Sequence, residues 1–297
     1  MKRSFGDKAT QLVITVLLLL LCVSVIYPFL YMLAISLNTG SDAAKGGVYL
    51  WPREFTLYNY QVVLGNEVIR NAYWITIART VIGTVAGLLI TILAAFGLSY
   101  RGLPLRKVLL GYVLITMLFN GGLIPFYIQL YNLSLINSFW VYILPTAFSA
   151  WNMFVMMRFI QGIPEALIES AEIDGARPFR VLWSIILPLS KPMLAALGLF
   201  TAVTHWNDWF AGAFFVQDQS LIPVQTFLQQ LLSAQDMSAV LGTGSTEALI
   251  RGTNINNVTL MSVKMATVMI SALPILCVYP FLQRYFAKGV LIGSVKG

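Results

Sequence analysis

The sequence is poor in charge, cysteine and histidine. Only 10% of its 297 residues are charged and 58% are hydrophobic, whereas an ordinary soluble domain has about 25% charged residues. It contains two cysteines, Cys22 and Cys277, and one histidine, His205. Neither cysteine has metal-ligand spacing, and both lie in apolar runs, so we expect small core residues rather than a disulfide or a metal site.

The residues of a nucleotide site and of an active site are also missing. No G-x-x-x-x-G-K-[ST] phosphate loop occurs, and the dipeptide Gly-Lys is absent from the chain. There is no C-x-x-C pair and no nucleophile–base arrangement in a polar segment. We therefore expect a chain that is not an enzyme and binds no cofactor itself, so that any ATP hydrolysis would belong to a partner.

Long apolar runs predict an all-α membrane protein. Six runs approach the ~20 residues that a bilayer requires, and the whole of 1–297 is expected to form one membrane domain. The first run is too long for a signal peptide, lacks a cleavage site and is expected to kink at Pro28. A short surface helix is predicted from Thr56 to Ile69. The predicted transmembrane helices are about 11–37, 71–99, 108–130, 139–160, 192–216 and 258–283.

The basic residues are distributed unevenly between the two sides of this predicted topology. Four fall in the segments at 38–69 and 217–257 or at the adjoining span end: Lys45, Arg53, Arg70 and Arg251. Basic residues prefer the cytoplasmic side, so both termini and the loop at 163–188 are expected in the cytoplasm. The net charge of +7 then reflects topology and not a nucleic-acid partner. Thirteen of the 19 Lys and Arg lie on the other side: Lys2, Arg3, Lys8, Arg101, Arg106, Lys107, Arg158, Arg177, Arg180, Lys191, Arg284, Lys288 and Lys296.

The loop between the fourth and fifth runs reads IPEALIESAEIDGARPFRVLWSIILP. Pro164 suits the first turn of a helix and Gly175 its end, while Pro178 can open a second short helix that Pro188 closes. The acidic residues of the first helix share one face. This pattern predicts a helix–turn–helix that packs on the membrane domain and presents a charged knob to a soluble partner. The alternative is an ordinary solvated loop.

The spacing of this loop resembles the EAA motif of ABC importer permeases: Glu-Ala-Ala, three residues, Gly, nine residues, Ile-x-Leu-Pro. Ser170 replaces the first alanine, and both are small. The resemblance implies a coupling helix that docks on ATPase subunits, which would carry ATP and Mg. It also implies a second homologous permease, an extracytoplasmic solute-binding protein and a bacterial cytoplasmic (inner) membrane. The residues assigned to coupling are Glu165, Glu169, Ser170, Ala171, Asp174, Gly175, Ile185, Leu187 and Pro188.

Further stretches resemble carbohydrate-uptake permeases of the maltose type. These are Trp51-Pro52, the phrase TLYNYQVVL, and the tail FLQRYFAKGVLIGSVKG from residue 281. The phrases HWNDWF and LPILCVYPFLQRYF resemble the branch that imports larger saccharides, such as alginate or pectin oligosaccharides. The resemblance covers essentially the whole chain and implies import of an oligo- or polysaccharide.

Polar residues inside the predicted spans are candidates for the substrate path. A charge facing lipid at the bilayer centre costs about 2.5–3.5 kcal/mol, so Arg79 is expected to face a hydrated cavity. Trp206 and Trp209 are three apart and would share a helix face on which a sugar can stack. The full candidate set is Arg79, Asn120, Asn152, His205, Trp206, Asn207, Asp208, Trp209 and Lys264.

Each candidate also has a structural interpretation. Asp208 can pair with Arg79 or Lys264, Lys264 can extend to the interface, the tryptophans can form an interface belt, and the asparagines can satisfy broken backbone. If the three potential cations Arg79, His205 and Lys264 do face the path, they suggest an anionic, uronate-bearing ligand.

Three other functions remain open from the residues alone. An ion-coupled secondary carrier could use Arg79, Asp208 and Lys264, and an ABC permease could carry another solute, such as amino acids or phosphonates. A membrane-embedded enzyme acting on lipid-linked sugars would need a carboxylate pair or a metal constellation, which the sequence does not offer.

Overall fold

The chain is built almost entirely of helices. The computed structural model describes residues 5–100, 102–233 and 258–293, and over these ranges the only β pairing is an isolated bridge between Asn38 and Phe55. The chain divides into two compact units, Met1–Arg70 with Phe227–Pro274 and Asn71–Thr226 with Ile275–Gly297. They are called the first and second unit below.

The helices follow one another with short connections. The elements are α1 (Phe5–Ser36), α2 (Gly40–Ala43), α3 (Tyr58–Gly65), α4 (Glu67–Ser99), α5 (Arg106–Leu118), α6 (Leu123–Asn132), 3-10 turns at Phe139–Tyr142 and Leu144–Thr146, α7 (Ala150–Gln161), α8 (Glu165–Ile173), α9 (Pro178–Val181), a π-helical stretch at Leu182–Ile186, α10 (Leu187–Leu189), α11 (Lys191–Asn207), α12 (Phe210–Phe215), a 3-10 turn at Gln219–Leu221, α13 (Val224–Ser233) and α14 (Leu260–Gly293).

Three of the described helices are long and apolar enough to cross a membrane: Thr10–Ser36, Glu67–Ser99 and Leu260–Val278. Three helix pairs pass the same length and composition criteria only when joined across a bend. Up to six spans result if each bent pair is one span, so the number six stays a prediction. The pairs are Arg106–Leu118 with Leu123–Asn132 (115°), Phe139–Thr146 with Ala150–Gln161 (46°), and Pro178–Leu189 with Lys191–Asn207 (78°).

Element boundaries differ from the predicted ones where side chains cap helix ends. The predicted surface helix at 56–69 is shorter, because Asn66 separates it from α4. The Oδ1 atom of Asn66 accepts hydrogen bonds from the N–H groups of Val68 (2.8 Å) and Ile69 (3.1 Å), which is how an N-cap starts a helix. The second predicted span therefore begins at Glu67 instead of residue 71. Helix α1 continues through Pro28.

The second unit has a core between α4, α7, α11 and the segment at 181–186. Its buried members are Ile92, Ala95, Met153, Met156, Met157, Ile160, Val181, Leu182, Ile186 and Leu197. Small residues bring α4 and α11 close together, as the spacing of Gly83 and Gly87 predicts. A Cβ built at Gly83 would overlap the imidazole of His205, and one at Gly198 would lie 3.1 Å from Leu88 Cδ1.

The first unit joins the end of α1 to the segment at 38–55 through polar side chains. Asn59 donates to the backbone oxygens of Ser36 (2.9 Å) and Asn38 (2.8 Å). Asp42 accepts from Asn38 and forms an ion pair of 2.9 Å with Arg53. The hydrogen bond from Asn38 and the charge of Arg53 hold the pKa of Asp42 below its ordinary value.

Both cysteines are free and exposed, so the expectation that they are core residues is wrong. Cys22 lies in the part of α1 where the described residues all face outward, because no other element packs against that stretch. An apolar surrounding in the sequence indicates a lipid-compatible position here, and not a buried one.

Some predictions fall on residues outside the described ranges. These are Lys2, Arg3, Arg101, Arg251 and Lys296 of the charge distribution, and residues 234–257 of the predicted outside loop at 217–257. The backbone of the resembling tail is described as far as Gly293, but its side chains are not.

Candidate functional site

The first candidate site is the loop from Ile163 to Ser190. Helix α8 begins directly after Pro164, as predicted, and ends at Asp174. Gly175 has a φ of +80°, which a residue with a Cβ adopts only with strain. The backbone N–H of Ala176 donates to Ala171 O (2.8 Å) and that of Gly175 to Glu172 O (2.9 Å). These bonds satisfy the last carbonyls of the helix and set the direction of the turn.

The inner face of this loop packs on the core of the second unit. Ile168, Ala171, Ala176, Ile185 and Leu187 contact the buried cluster that includes Met153 and Val181. Of the residues assigned to coupling, three hydrophobic ones therefore hold the loop in place. Their burial fixes which face of α8 points away from the membrane domain.

The outer face is both acidic and apolar. Glu165, Glu169 and Glu172 are exposed. Large apolar side chains lie beside them, with Ile173 86% and Phe179 70% exposed. Exposed apolar residues rimmed by charge are typical of a protein docking surface.

Pro188 does not close the second short helix, so that prediction is wrong. Helix α10 spans Leu187–Leu189 and includes it. Pro188 occupies the first turn, where its missing N–H costs no hydrogen bond. The chain turns only at Ser190, after which α11 leaves at 78°.

The second candidate site is the break between α11 and α12 at Asp208 and Trp209, called the elbow. Asp208 Oδ1 accepts hydrogen bonds from the N–H groups of Phe210 (3.0 Å) and Ala211 (3.2 Å) and so starts α12. The carbonyl oxygen of Trp209 accepts from the hydroxyl of Thr226 (2.8 Å). Side chains on both sides of the break therefore hold it open.

Arg79 of α4 binds this elbow. Its residue exposure is 0%, and its Nη1 lies 3.5 Å from Asp208 Oδ2. Its Nη2 donates to the backbone oxygen of Asp208, and its guanidinium lies 5.1 Å from the ring centroid of Tyr142. The expectation that Arg79 faces a hydrated cavity is thus wrong, because Asp208 and Tyr142 enclose it. The interpretation in which Asp208 pairs with Arg79 describes the geometry.

His205 lies close to the same pair. It is 6% exposed, interacts electrostatically with Arg79 and Asp208, and packs on Gly83. The second unit thus brings Arg79, His205 and Asp208 together. Lys264 belongs to the first unit, where its Nζ donates to Leu232 O (3.3 Å).

Trp206 and Trp209 do not share a helix face, because α11 ends between them at Asn207. Trp206 is 8% exposed and Trp209 40%. The exposed partners of Trp209 are aromatic residues that the sequence analysis missed. Trp209 and Phe210 pack edge to face at 6.0 Å, and Phe210 stacks on Phe214 at 4.3 Å. The four-residue spacing of the two phenylalanines was the available signal.

The candidate asparagines occupy different settings. Asn120 Oδ1 accepts from the N–H of Gly122 (2.8 Å) at the break between α5 and α6. Asn152 donates to Thr201 Oγ1 (3.2 Å) between α7 and α11. Asn207 is exposed at the end of α11. Within the described ranges, no group of three or more His, Cys, Asp or Glu could hold a metal ion.

Comparison with known proteins agrees with this architecture. Residues 83–292 match the family described as binding-protein-dependent transport system inner membrane component. Protein LplC of Bacillus subtilis strain 168 is 39% identical over 272 residues, which cover 92% of this chain and 90% of LplC. The polygalacturonan/rhamnogalacturonan transport system permease protein YtcP of the same strain is 36% identical over 285 residues, covering 94% of this chain and 96% of YtcP.

Two solved structures are also similar. One is a bacterial ABC transporter involved in the import of the acidic polysaccharide alginate, with a TM-score of 0.88, 28% identity, and coverage of 96% of this chain and 99% of that chain. The other is the bacterial alginate ABC transporter in complex with alginate pentasaccharide-bound periplasmic protein. It matches with a TM-score of 0.55 and 16% identity over 93% and 94% of the two chains, a likeness of fold alone.

A mostly helical chain with several apolar helices and a family match over most of its length is a membrane permease. The chain belongs to the family of binding-protein-dependent transport system inner membrane components and is a permease subunit of an ABC importer. Subunits of this kind are generally the non-catalytic transmembrane parts of their transporters.

Proposed function

We propose that this chain is one of two permease subunits of an ABC importer that carries uronate-bearing oligo- or polysaccharides into the cytoplasm. Its substrate class is supported by YtcP, whose name refers to polygalacturonan and rhamnogalacturonan, and by the transporter involved in alginate import. The exposed rings of Trp209, Phe210 and Phe214 add support, since sugar C–H faces stack on aromatic rings.

The outer face of α8 carries the mechanistic part of the proposal. It combines three exposed carboxylates with the exposed side chains of Ile173 and Phe179, and Gly175 fixes its orientation. We assign this face to a groove on an ATPase subunit that binds ATP and Mg. Closure of two such ATPases would push on residues 165–175 and swing the paired permeases from inward-facing to outward-facing.

The remaining partners follow from the same arrangement. A second homologous permease completes the path, and an extracytoplasmic solute-binding protein delivers the sugar to the segments at 38–69 and 217–257. Six spans in a single domain with both termini in the cytoplasm place the loop at 163–188 on the ATPase side. This chain contributes no cofactor and no catalytic group.

The test uses the whole complex in proteoliposomes with its solute-binding protein. Glu169→Lys should lower sugar uptake by about tenfold or more, because it places a positive charge in the centre of an acidic docking face. ATP hydrolysis should lose its dependence on loaded binding protein, while the complex still purifies. Glu67→Lys is the matched control, since Glu67 is 89% exposed at its side chain and lies far from this loop in the sequence.

Two outcomes would contradict the proposal. Equal uptake by Glu169→Lys and wild type would remove the coupling role from α8. Uptake by the purified chain without any ATPase would instead favour an ion-coupled carrier, in which Asp208 and Arg79 are the first residues to replace.

A further inference from the structure

The ion pair between Arg79 and Asp208 is unequally exposed. The side chain of Arg79 is 1% exposed and that of Asp208 is 33% exposed. The guanidinium therefore lies behind the carboxylate, with the ring of Tyr142 beside it. A solute at the elbow can reach the acid but not the base.

The fold uses the carboxylate of Asp208 as a helix cap. Its Oδ1 accepts from the N–H groups of Phe210 and Ala211, and its Oδ2 faces Arg79. Asparagine or serine can make the same cap without a charge. A charged cap among apolar helices is costly unless an opposite charge accompanies it. Arg79 provides that charge and also bonds the backbone oxygen of Asp208.

The surface beside Asp208 is aromatic. Trp209, Phe210 and Phe214 are 40%, 38% and 50% exposed and contact one another in sequence. A sugar ring stacked on these residues lies within reach of the carboxylate. For a neutral sugar the carboxylate is a hydrogen-bond acceptor, whereas for a uronate an unbalanced carboxylate is a like charge at short distance.

We propose that Arg79 is a positioning residue for sugar specificity, which acts through Asp208. It holds the elbow in place and cancels the charge of its cap, so that anionic saccharides can pass the aromatic surface. This inference rests on the proposed function, because it requires the elbow to face the sugar path. It differs from a direct contact between Arg79 and the sugar, which the burial of Arg79 excludes.

The test compares Arg79→Met with the double variant Arg79→Met/Asp208→Asn in the reconstituted complex. The probes are a uronate oligosaccharide and its methyl ester of the same length, each at saturating loaded binding protein. Arg79→Met should lower the uptake rate of the uronate by about tenfold, because Asp208 is then an unbalanced like charge. The effect on the neutral ester should stay below about twofold, since it carries no charge to repel.

The double variant should restore uronate uptake to within about threefold of wild type, because the asparagine side chain keeps the cap and removes the charge. Arg79→Lys should fall between wild type and Arg79→Met, since it keeps the charge but cannot bond both oxygens of Asp208. Co-purification with the ATPases measures assembly of each variant. If Arg79→Met does not assemble, uronate uptake by the double variant alone decides for or against charge balance.

Equal loss in the single and double variants would overturn the inference and make the pair purely structural. An equal effect of Arg79→Met on the uronate and the ester would do the same. Import of the ester but not of the uronate by wild type would overturn it and leave sugar import standing. If wild type imports neither sugar, the proposed function itself is wrong.

Discussion

The loop at 163–190 and the elbow at Asp208 lie at opposite ends of α11 and treat charge in opposite ways. The carboxylates of α8 are exposed and point away from their own chain. Arg79 is completely buried and binds a residue 129 positions away. Exposed charge of the first kind is available to another protein, whereas buried charge of the second kind is satisfied within the chain and determines how its helices meet.

The strongest way to break this comparison is to add volume to the buried region. Gly83→Ala should lower the free energy of unfolding by about 1–3 kcal/mol, the range for overpacking, because its Cβ would overlap the imidazole of His205. Gly97→Ala is the control on the same helix, since a Cβ there meets no atom within 4 Å. Thermal unfolding of the purified complexes measures both. Equal midpoints would contradict the close contact.

A smaller effect is expected from straining the exposed loop. Gly175→Val should cost about 1–2 kcal/mol, because a β-branched residue resists the left-handed conformation that Gly175 adopts at a φ of +80°. Sugar uptake should fall about fivefold, with the transmembrane part still folded. Gly175→Asn tolerates this conformation and is the control. Full activity of the valine variant would show that the turn does not orient α8.

The smallest effect tests a half-buried pair, Asp42 with Arg53, whose side chains are 9% and 47% exposed. The lowered pKa of Asp42 means that its contribution to stability is complete above the ordinary value of 3.8 and is lost as the pH falls through the folded value. Protease cleavage between residues 38 and 55 should therefore be constant from about pH 8 to pH 5 and increase below about pH 4. Asp42→Asn should remove this acid-induced increase, and an unchanged profile would contradict the role of the carboxylate.

The loop was predictable because its signals are local. Gly175 and Pro178 mark its turn, and the turn follows from the φ of one residue and the start of one short helix. The break at 119–122 was predictable for the same reason, since Asn-Gly-Gly is a local interruption. Neither prediction required knowledge of which distant segments meet.

The elbow was not predictable in this way. No proline or glycine stands between Trp206 and Trp209, so helical spacing suggested a shared face that the structure does not have. Asp208 as an N-cap was the available signal. The pairing of Arg79 was open between two partners in the sequence, because only tertiary packing decides which acid a buried base meets.

Helix α11 acts mechanically as a strut between the two regions. Its 17 residues at about 1.5 Å each make a rigid rod of about 25 Å. A tilt of about 10° imposed at Lys191 would displace the Asp208 end by about 4 Å, nearly one helical turn. Because Gly83 and Gly198 allow no slack between α4 and α11, such a tilt carries α4 along, and the two helices move as one piece.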